Sequence, residues 1–193
     1  MPHYDDALRV RDARARYFRD NGFGDDGGYG AKWVKIALGP VPAFVPNSAA
    51  RVRAVRLHDL HHVATDYDTD LAGEAEIAAW EIASGCGGYV AAWILNLYAL
   101  AIGLVVAAGR TWRAFARGRH SGNLYRLGWR DEVLDDRVGA LRSKLGLEAG
   151  GESGASVADR ALFAAWCAAS LALALATIAL LLAPVGMLLH AVL

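Results

Sequence analysis

Residues 56–76 read RLHDLHHVATDYDTDLAGEAE, which places three histidines and a series of carboxylates within two adjoining helical stretches. Imidazole nitrogens and carboxylate oxygens in one place form the donor set of zinc, and also of iron, manganese or cobalt. On a helix turning about 100° per residue, His62 lies about 40° and Asp59 about 100° from His58, so all three fall within about 100° of the circumference. Val55 and Val52 occupy the same sector one and two turns earlier, so the polar groups continue a stripe that is apolar upstream. A carboxylate buried beside two imidazoles is costly unless something pairs it, and a divalent ion is one such partner. Glu74 sits at the start of the next helix and can fold back as a further ligand. The metal candidates are therefore His58, Asp59, His62 and Glu74, with zinc the first choice of ion. Copper(I) is disfavoured because no thiolate is near. A surface helix with chance histidines is the competing reading, and the residues alone leave the two level.

Three neighbours belong to the same question. His61 lies about 60° from His58 on the other flank and reads as a supporting group or an exposed one. Glu81 follows Glu74 by seven residues on the same face and competes as ligand or base. Glu81 and His61 are thus the candidate proton shuttles. Glu76 points away and reads as solvated.

These groups need two helices and a turn to hold them. Asn47 or Ser48 is suited to cap a helix over about residues 49–64. Asp66, Asp68, Thr69 and Asp70 form the turn, and the second helix starts near Leu71 or Ala72 and breaks at Gly85, Gly87 and Gly88. Upstream, residues 5–20 read as a solvated helix and residues 21–30, with five glycines, as a flexible segment. Pro40, Pro42 and Pro46 forbid a helix and favour an extended loop. Downstream come an apolar segment (Tyr89 to Gly109), an Arg/aromatic stretch from Arg110 to Arg130, and a polar helix in DDRVGALRSKLGL. No strand-like alternation extends beyond a few residues. The expected fold is all-α: a helical domain with a metal-binding helix pair, plus a C-terminal apolar, transmembrane helix. Its expected divisions are 1–30 (polar helix and Gly-rich segment), 31–147 (metal-binding core), 148–160 (linker) and 161–193 (membrane anchor).

Composition narrows the class. The chain has 193 residues, and Lys+Arg and Asp+Glu balance at 20 each, which does not suit a binder that tracks nucleic-acid phosphates. Apolar residues make up 55%, but 38 residues are alanine, so part of that excess is helix-forming bulk. The two cysteines, Cys86 and Cys167, read as buried free thiols. No charge occurs over the 28 residues between Glu81 and Arg110, nor over the 33 after Arg160. A membrane span needs roughly 20 apolar residues, so both runs qualify. The N-terminus is too polar for a secretory signal. The tail from Ala161 to Ala183 is the stronger span, with Pro184 placed to kink or end it. If Tyr89 to Gly109 also crossed, the six arginines that follow would mark the cytoplasmic side and put the histidines outside. The preferred expectation keeps this helix on the histidines' side, lining a lipid-accessible cleft or dipping into the leaflet, with the Arg/aromatic stretch on anionic headgroups. An ordinary buried core helix is an equal alternative. Asn96 in its middle fits a protein or ligand contact better than lipid.

The pattern His-Asp-x2-His-x11-Glu, carried by His58, Asp59, His62 and Glu74, resembles the metal motif of the ubiquinone (coenzyme Q) biosynthesis protein 4 family. The flanks are similar too: Gly73-Glu74 opening a helix after a Thr/Asp turn, the ARGRHSGNLY stretch, and GWRDEVLDDRVGALRSKLGL. The resemblance covers roughly residues 30–147. The apolar tail lies beyond it, and the N-terminal region departs from it. It implies an all-helical, membrane-associated protein binding one divalent metal, usually zinc, at those four residues. It further implies action on a polyprenylated quinone precursor or another isoprenoid lipid, with the ring carboxyl replaced by hydroxyl in an oxidative decarboxylation. The alternative is a non-catalytic lipid-binding scaffold that gathers other biosynthetic enzymes. Either role is compatible with a homo-oligomer, and the metal domain is expected on the cytoplasmic side. A membrane metal hydrolase lacks support, since neither HExxH nor GxSxG occurs.

Overall fold

The computed structural model describes residues 4–38, 41–147 and 155–192, with the backbone alone over 36–38, 41–43 and 185–192. Pro40 and residues 148–154 of the expected linker lie outside the described residues. The chain is mostly helical. Helix α1 (Val10–Asp20) is followed by strands β1 (Trp33–Leu38) and β2 (Val41–Pro46), then α2 (Ala49–Thr65) and α3 (Leu71–Ser84). Next come α4 (Val90–Val106), α5 (Ala108–Arg119), the short α6 (Leu124–Leu127), a 3-10 turn at Asp131–Leu134, α7 (Val138–Leu145) and α8 (Val157–Val192).

The proline-rich segment is not a loop. β1 and β2 form an antiparallel hairpin in which Trp33 faces Pro46 and Val34 faces Val45. Two strands alone leave each with an unpaired edge, where a residue without an N–H costs no ladder bond. Helix α1 also differs from expectation: it starts at Val10, and Val10, Ala13, Tyr17 and Phe18 are buried. It is an amphipathic core helix.

The helix pair forms as its caps dictate. The Ser48 hydroxyl accepts the Arg51 N–H at 3.2 Å, and the Asp70 carboxylate accepts the Gly73 N–H at 2.7 Å. Asp66 ends α2 in the left-handed region, with φ 59°. Asp tolerates that conformation better than most residues, and its carboxylate takes the Tyr4 N–H and the Arg142 guanidinium.

Helix α3 is the centre of the molecule. One face meets α4, where Gly103 allows close approach: a Cβ there would stand 2.5 Å from the Ala75 Cβ. Another face meets α5, where a Cβ on Gly118 would stand 2.5 Å from the Trp80 carbonyl oxygen. The largest fully buried side chain, Trp80, fills the space between and donates to the Ser121 hydroxyl at 2.8 Å.

Helix α8 docks on this core along one stripe. Asp159 pairs with Arg119, Phe163 packs on Trp112 and Phe115, Trp166 stacks on Trp93 with ring centroids 5.2 Å apart, and Thr177 bonds the Tyr98 hydroxyl. Many of its other described side chains are exposed, among them Leu171, Leu175, Ile178, Leu180, Leu181 and Leu182. Within Val157–Pro184 an 18-residue stretch reaches a mean hydropathy of 2.2 and is 6% buried, so by length and composition the helix can cross a membrane. The helix runs through Pro184 rather than ending there.

The Gly103→Val variant removes the close approach of α4 to α3. It is expected to cost about 1–3 kcal/mol and lower the melting temperature in detergent by several degrees. Gly122→Ala, which enters open space, is expected to leave it within about 1 °C. Circular dichroism melts of the two variants compare them directly.

Candidate metal centre

The αL turn at Asp66 brings the start of α3 back against the end of α2. Three donor atoms converge there, one each from His58, His62 and Glu74, all within 4.8 Å of one another. The two Nε2 atoms are 3.1 Å apart. Glu74 straddles them, with one carboxylate oxygen 3.5 Å from His58 Nε2 and the other 3.5 Å from His62 Nε2. A tetrahedral ion with ligand bonds of about 2.0–2.1 Å sets its donors about 3.3 Å apart, so the triangle already has the right size.

The hydrogen bonds behind the rings fix which nitrogen faces inward. His62 Nδ1 lies 2.9 Å from the Tyr67 carbonyl oxygen, which can only accept, so Nδ1 carries the proton and Nε2 a lone pair. His58 Nδ1 lies 2.9 Å from the Glu81 carboxylate, and the same reasoning applies. Two lone pairs are thus aimed at each other over 3.1 Å. They repel unless a cation, either a metal ion or a proton, sits between them. Where no ion is bound, the proton does this work. Burial pushes His58 down, but the Glu81 charge and hydrogen bonds to Glu74 and Glu81 outweigh it, and its pKa stands well above the usual imidazole value. Burial likewise opposes the Glu74 charge, yet His62 and His58 hold its carboxyl down at about 2. Its place in the first turn of α3 adds the favourable end of the helix dipole. The Glu74 side chain is 38% exposed against 1% for His62, so the centre is open on the glutamate side.

Glu81 is the support of the centre rather than a fourth ligand. It is fully buried, and both oxygens are occupied. Oε1 faces His58 Nδ1 at 2.9 Å and His61 Nδ1 at 2.6 Å, while Oε2 accepts from Asn96 at 2.6 Å and the Tyr125 hydroxyl at 3.1 Å. Burial works against its charge, but His58 and His61 keep its carboxyl far below the ordinary range. A carboxylate behind a ligating histidine fixes its tautomer and raises its basicity.

His61 is buried with both ring nitrogens used: Nδ1 on Glu81, and Nε2 accepting the Leu124 N–H at 2.9 Å. It ties α6 to the helix pair and orients Glu81. Asp59 falls outside the converging set. Its carboxylate takes the Tyr29 hydroxyl at 2.5 Å and, through burial, sits above the usual carboxylate range. Glu76 is not solvated; it is nearly buried and accepts from Arg110 at 2.6 Å. Asn96 makes the protein contact that its mid-helix position suggested. Cys86 is a buried free thiol beside it, and Cys167 is half-buried on α8. Several arginines expected on headgroups are used internally, with Arg117 donating to the Thr65 carbonyl and Arg119 to Asp159. Sequence spacing alone did not mark Tyr17, which stacks on His62, nor Tyr29, Tyr67 and Tyr125. In each, a residue from another element meets the site through tertiary packing.

Compared with family models, curated proteins and solved structures, the chain matches none.

Metal titration separates the roles. His62→Ala is expected to weaken zinc binding more than about a hundredfold, Glu81→Gln about 10–100-fold, and Asp59→Asn less than tenfold. Because the His58 pKa is raised in the metal-free protein, zinc must displace that proton. The apparent affinity is expected to rise about tenfold per pH unit upwards from pH 6 and to fall as the pH drops. Calorimetry in buffers of different ionisation enthalpy would check the release of about one proton per ion.

Proposed function

We propose that this chain is a membrane-attached metalloprotein acting on a polyprenylated aromatic quinone precursor, with oxidative decarboxylation of the ring as its reaction: the carboxyl leaves as carbon dioxide and a hydroxyl takes its place, with half an equivalent of dioxygen as the oxidant. The observation that carries the proposal is the triangle of His58, His62 and Glu74, with each imidazole held from behind and one side open. Its donor set suits zinc, and equally iron, manganese or cobalt. A divalent ion held by these residues would supply a Lewis acid at an open coordination position. The protein's own part is to keep the two Nε2 lone pairs aimed inward and to leave the Glu74 side accessible. The likeness of His58-Asp59-x2-His62-x11-Glu74 to the ubiquinone biosynthesis protein 4 motif supplies the substrate class and reaction.

The same reading places the protein on a bilayer, with the metal domain on the cytoplasmic side. Helix α8 is the anchor. Trp166 and Thr177, both within its uncharged run, contact α4, so α4 is drawn to the lipid, where Val90, Ile94 and Val105 are exposed. The opposite side of α4 carries Asn96 to Glu81, so a lipid ring entering past this helix comes within one side chain of the centre's support.

A deletion strain tests the reaction. It is expected to accumulate a carboxylated prenyl-aromatic precursor, to be rescued by the wild-type chain, and not to be rescued by His62→Ala. Full rescue by a His62→Ala protein shown to lack metal would contradict the enzymatic reading and assign a scaffolding role. An alkaline carbonate wash tests the anchor, with the chain expected to stay in the membrane fraction.

A further inference from the structure

The β1–β2 hairpin carries apolar side chains that the helical core does not cover. Asn47 fastens its base. The Asn47 side-chain amide donates to the Ala31 carbonyl at 2.9 Å and to the Tyr29 carbonyl at 3.1 Å, and its N–H donates to the Lys32 carbonyl at 3.0 Å. Tyr29 in turn bonds Asp59, the neighbour of His58, so the hairpin projects from the segment that borders the metal centre. Paired residues share a face of a hairpin and successive residues alternate, so Trp33, Lys35, Phe44 and Pro46 stand on one face, and Val34 and Val45 on the other. Trp33 is 61% exposed and Phe44 64%. Among the described residues, none of Trp33, Val34, Phe44 and Val45 joins the side chains that pack on the core. Between Lys35 and Asn47 the sequence IALGPVPAFVP contains no charged or hydrogen-bonding side chain. Two strands alone are marginally stable in water, and an apolar pair gains by being covered.

We propose that this hairpin dips into one leaflet of a bilayer with anionic headgroups, as a membrane contact separate from α8. Lipid covers both faces of a hairpin at once, whereas a protein partner lies on one. Lys32 and Lys35, two of the chain's three lysines, flank Trp33 where the apolar run begins, an arrangement that suits anionic headgroups and the interface. The strand edges argue against another strand as the occupant. Because the Asn47 N–H faces β1, alternation turns the backbone nitrogens of Pro46, Phe44 and Pro42 outward, and the two prolines have no N–H. The outer edge of β2 therefore offers the Phe44 N–H alone, too little to template an added strand. The outer edge of β1 keeps its donors, which need water or headgroups, so the hairpin stays at interface depth. Beyond Lys35, β1 continues for three residues, or about 10 Å, enough to enter one leaflet and too short to cross a hydrocarbon core of about 30 Å. The contact does not rest on the metal reading. Where that reading holds, it brings the segment carrying Tyr29 to the lipid that a prenylated ligand would leave.

The test uses the full chain reconstituted in vesicles of phosphatidylcholine and phosphatidylglycerol. An environment-sensitive nitrobenzoxadiazole label is placed at Phe44→Cys and, for comparison, at Ala15→Cys, an exposed position on α1. Both carry Cys167→Ala, and the remaining Cys86 is buried. Emission from the Phe44→Cys label is expected to shift to the blue and to fall about twofold when the vesicles carry lipid with a nitroxide near the headgroup, while the Ala15→Cys label stays unchanged. Lys32→Glu combined with Lys35→Glu is expected to remove about half of that quenching or more. Emission that ignores the nitroxide, or equal quenching of the two labels, would overturn the proposal. Blue-shifted emission that follows protein concentration rather than lipid would assign the hairpin to a second copy of the chain and overturn it as well. Full quenching in the double lysine variant would overturn the assignment to anionic headgroups. Vesicle flotation reads α8 separately. A floating chain with an unquenched label overturns the hairpin contact alone, and a chain that does not float overturns both membrane contacts.

Discussion

Two imidazole nitrogens with lone pairs turned on each other at 3.1 Å set the requirement that organises this molecule. Such a pair is repulsive, and only a positive charge between or beside the rings makes it stable. The neighbouring groups are arranged for that charge. Glu74 lies across both nitrogens, Glu81 stands behind one ring, and a backbone carbonyl stands behind the other. Neither Glu81 nor that carbonyl can be moved without losing a hydrogen bond to a buried ring, whereas Glu74 faces the open side.

Glu81 links this local constraint to the whole fold. A fully buried carboxylate is very costly unless its lone pairs are taken, and here the four donors come from three different helices. His58 and His61 belong to α2, Asn96 to α4 and Tyr125 to α6. Helix α3 therefore serves both as the structural centre and as the carrier of the two glutamates, one open to the ligand side and one sealed inside. The small residues that let α4 and α5 approach α3 are what bring Asn96 within reach of Glu81. The long apolar helix is coupled to the same layer, because α8 packs on α4 and α5.

Much of this was legible in the sequence, for local reasons. The caps Ser48 and Asp70 mark the helix starts, a spacing of four puts His58 and His62 on one face, and Glu74 in the first turn of the next helix can reach them. The charge-free tail announces a long apolar helix by itself. What escaped the sequence is tertiary in origin. Glu81 shares the face of Glu74, so spacing could not tell the carboxylate that joins the two Nε2 atoms from the one that stands behind the rings; burial and four donors distinguish them. Asp59 has a ligand's chemistry and sits next to His58, but a tyrosine from the Gly-rich segment claims its carboxylate. Glu76 looked solvated until Arg110, 34 residues on, was seen to cover it. The hairpin was hidden because prolines in a two-stranded edge look like prolines in a loop.

The most direct measurement is long-range proton–nitrogen NMR on the histidine side chains, with and without zinc. Zinc-loaded His58 and His62 are both expected to be protonated at Nδ1 and bound through Nε2, while without metal the His58 imidazole carries the charge at neutral pH. An Nε2-protonated form of either ring in the presence of zinc, or spectra that do not respond to zinc, would contradict that arrangement.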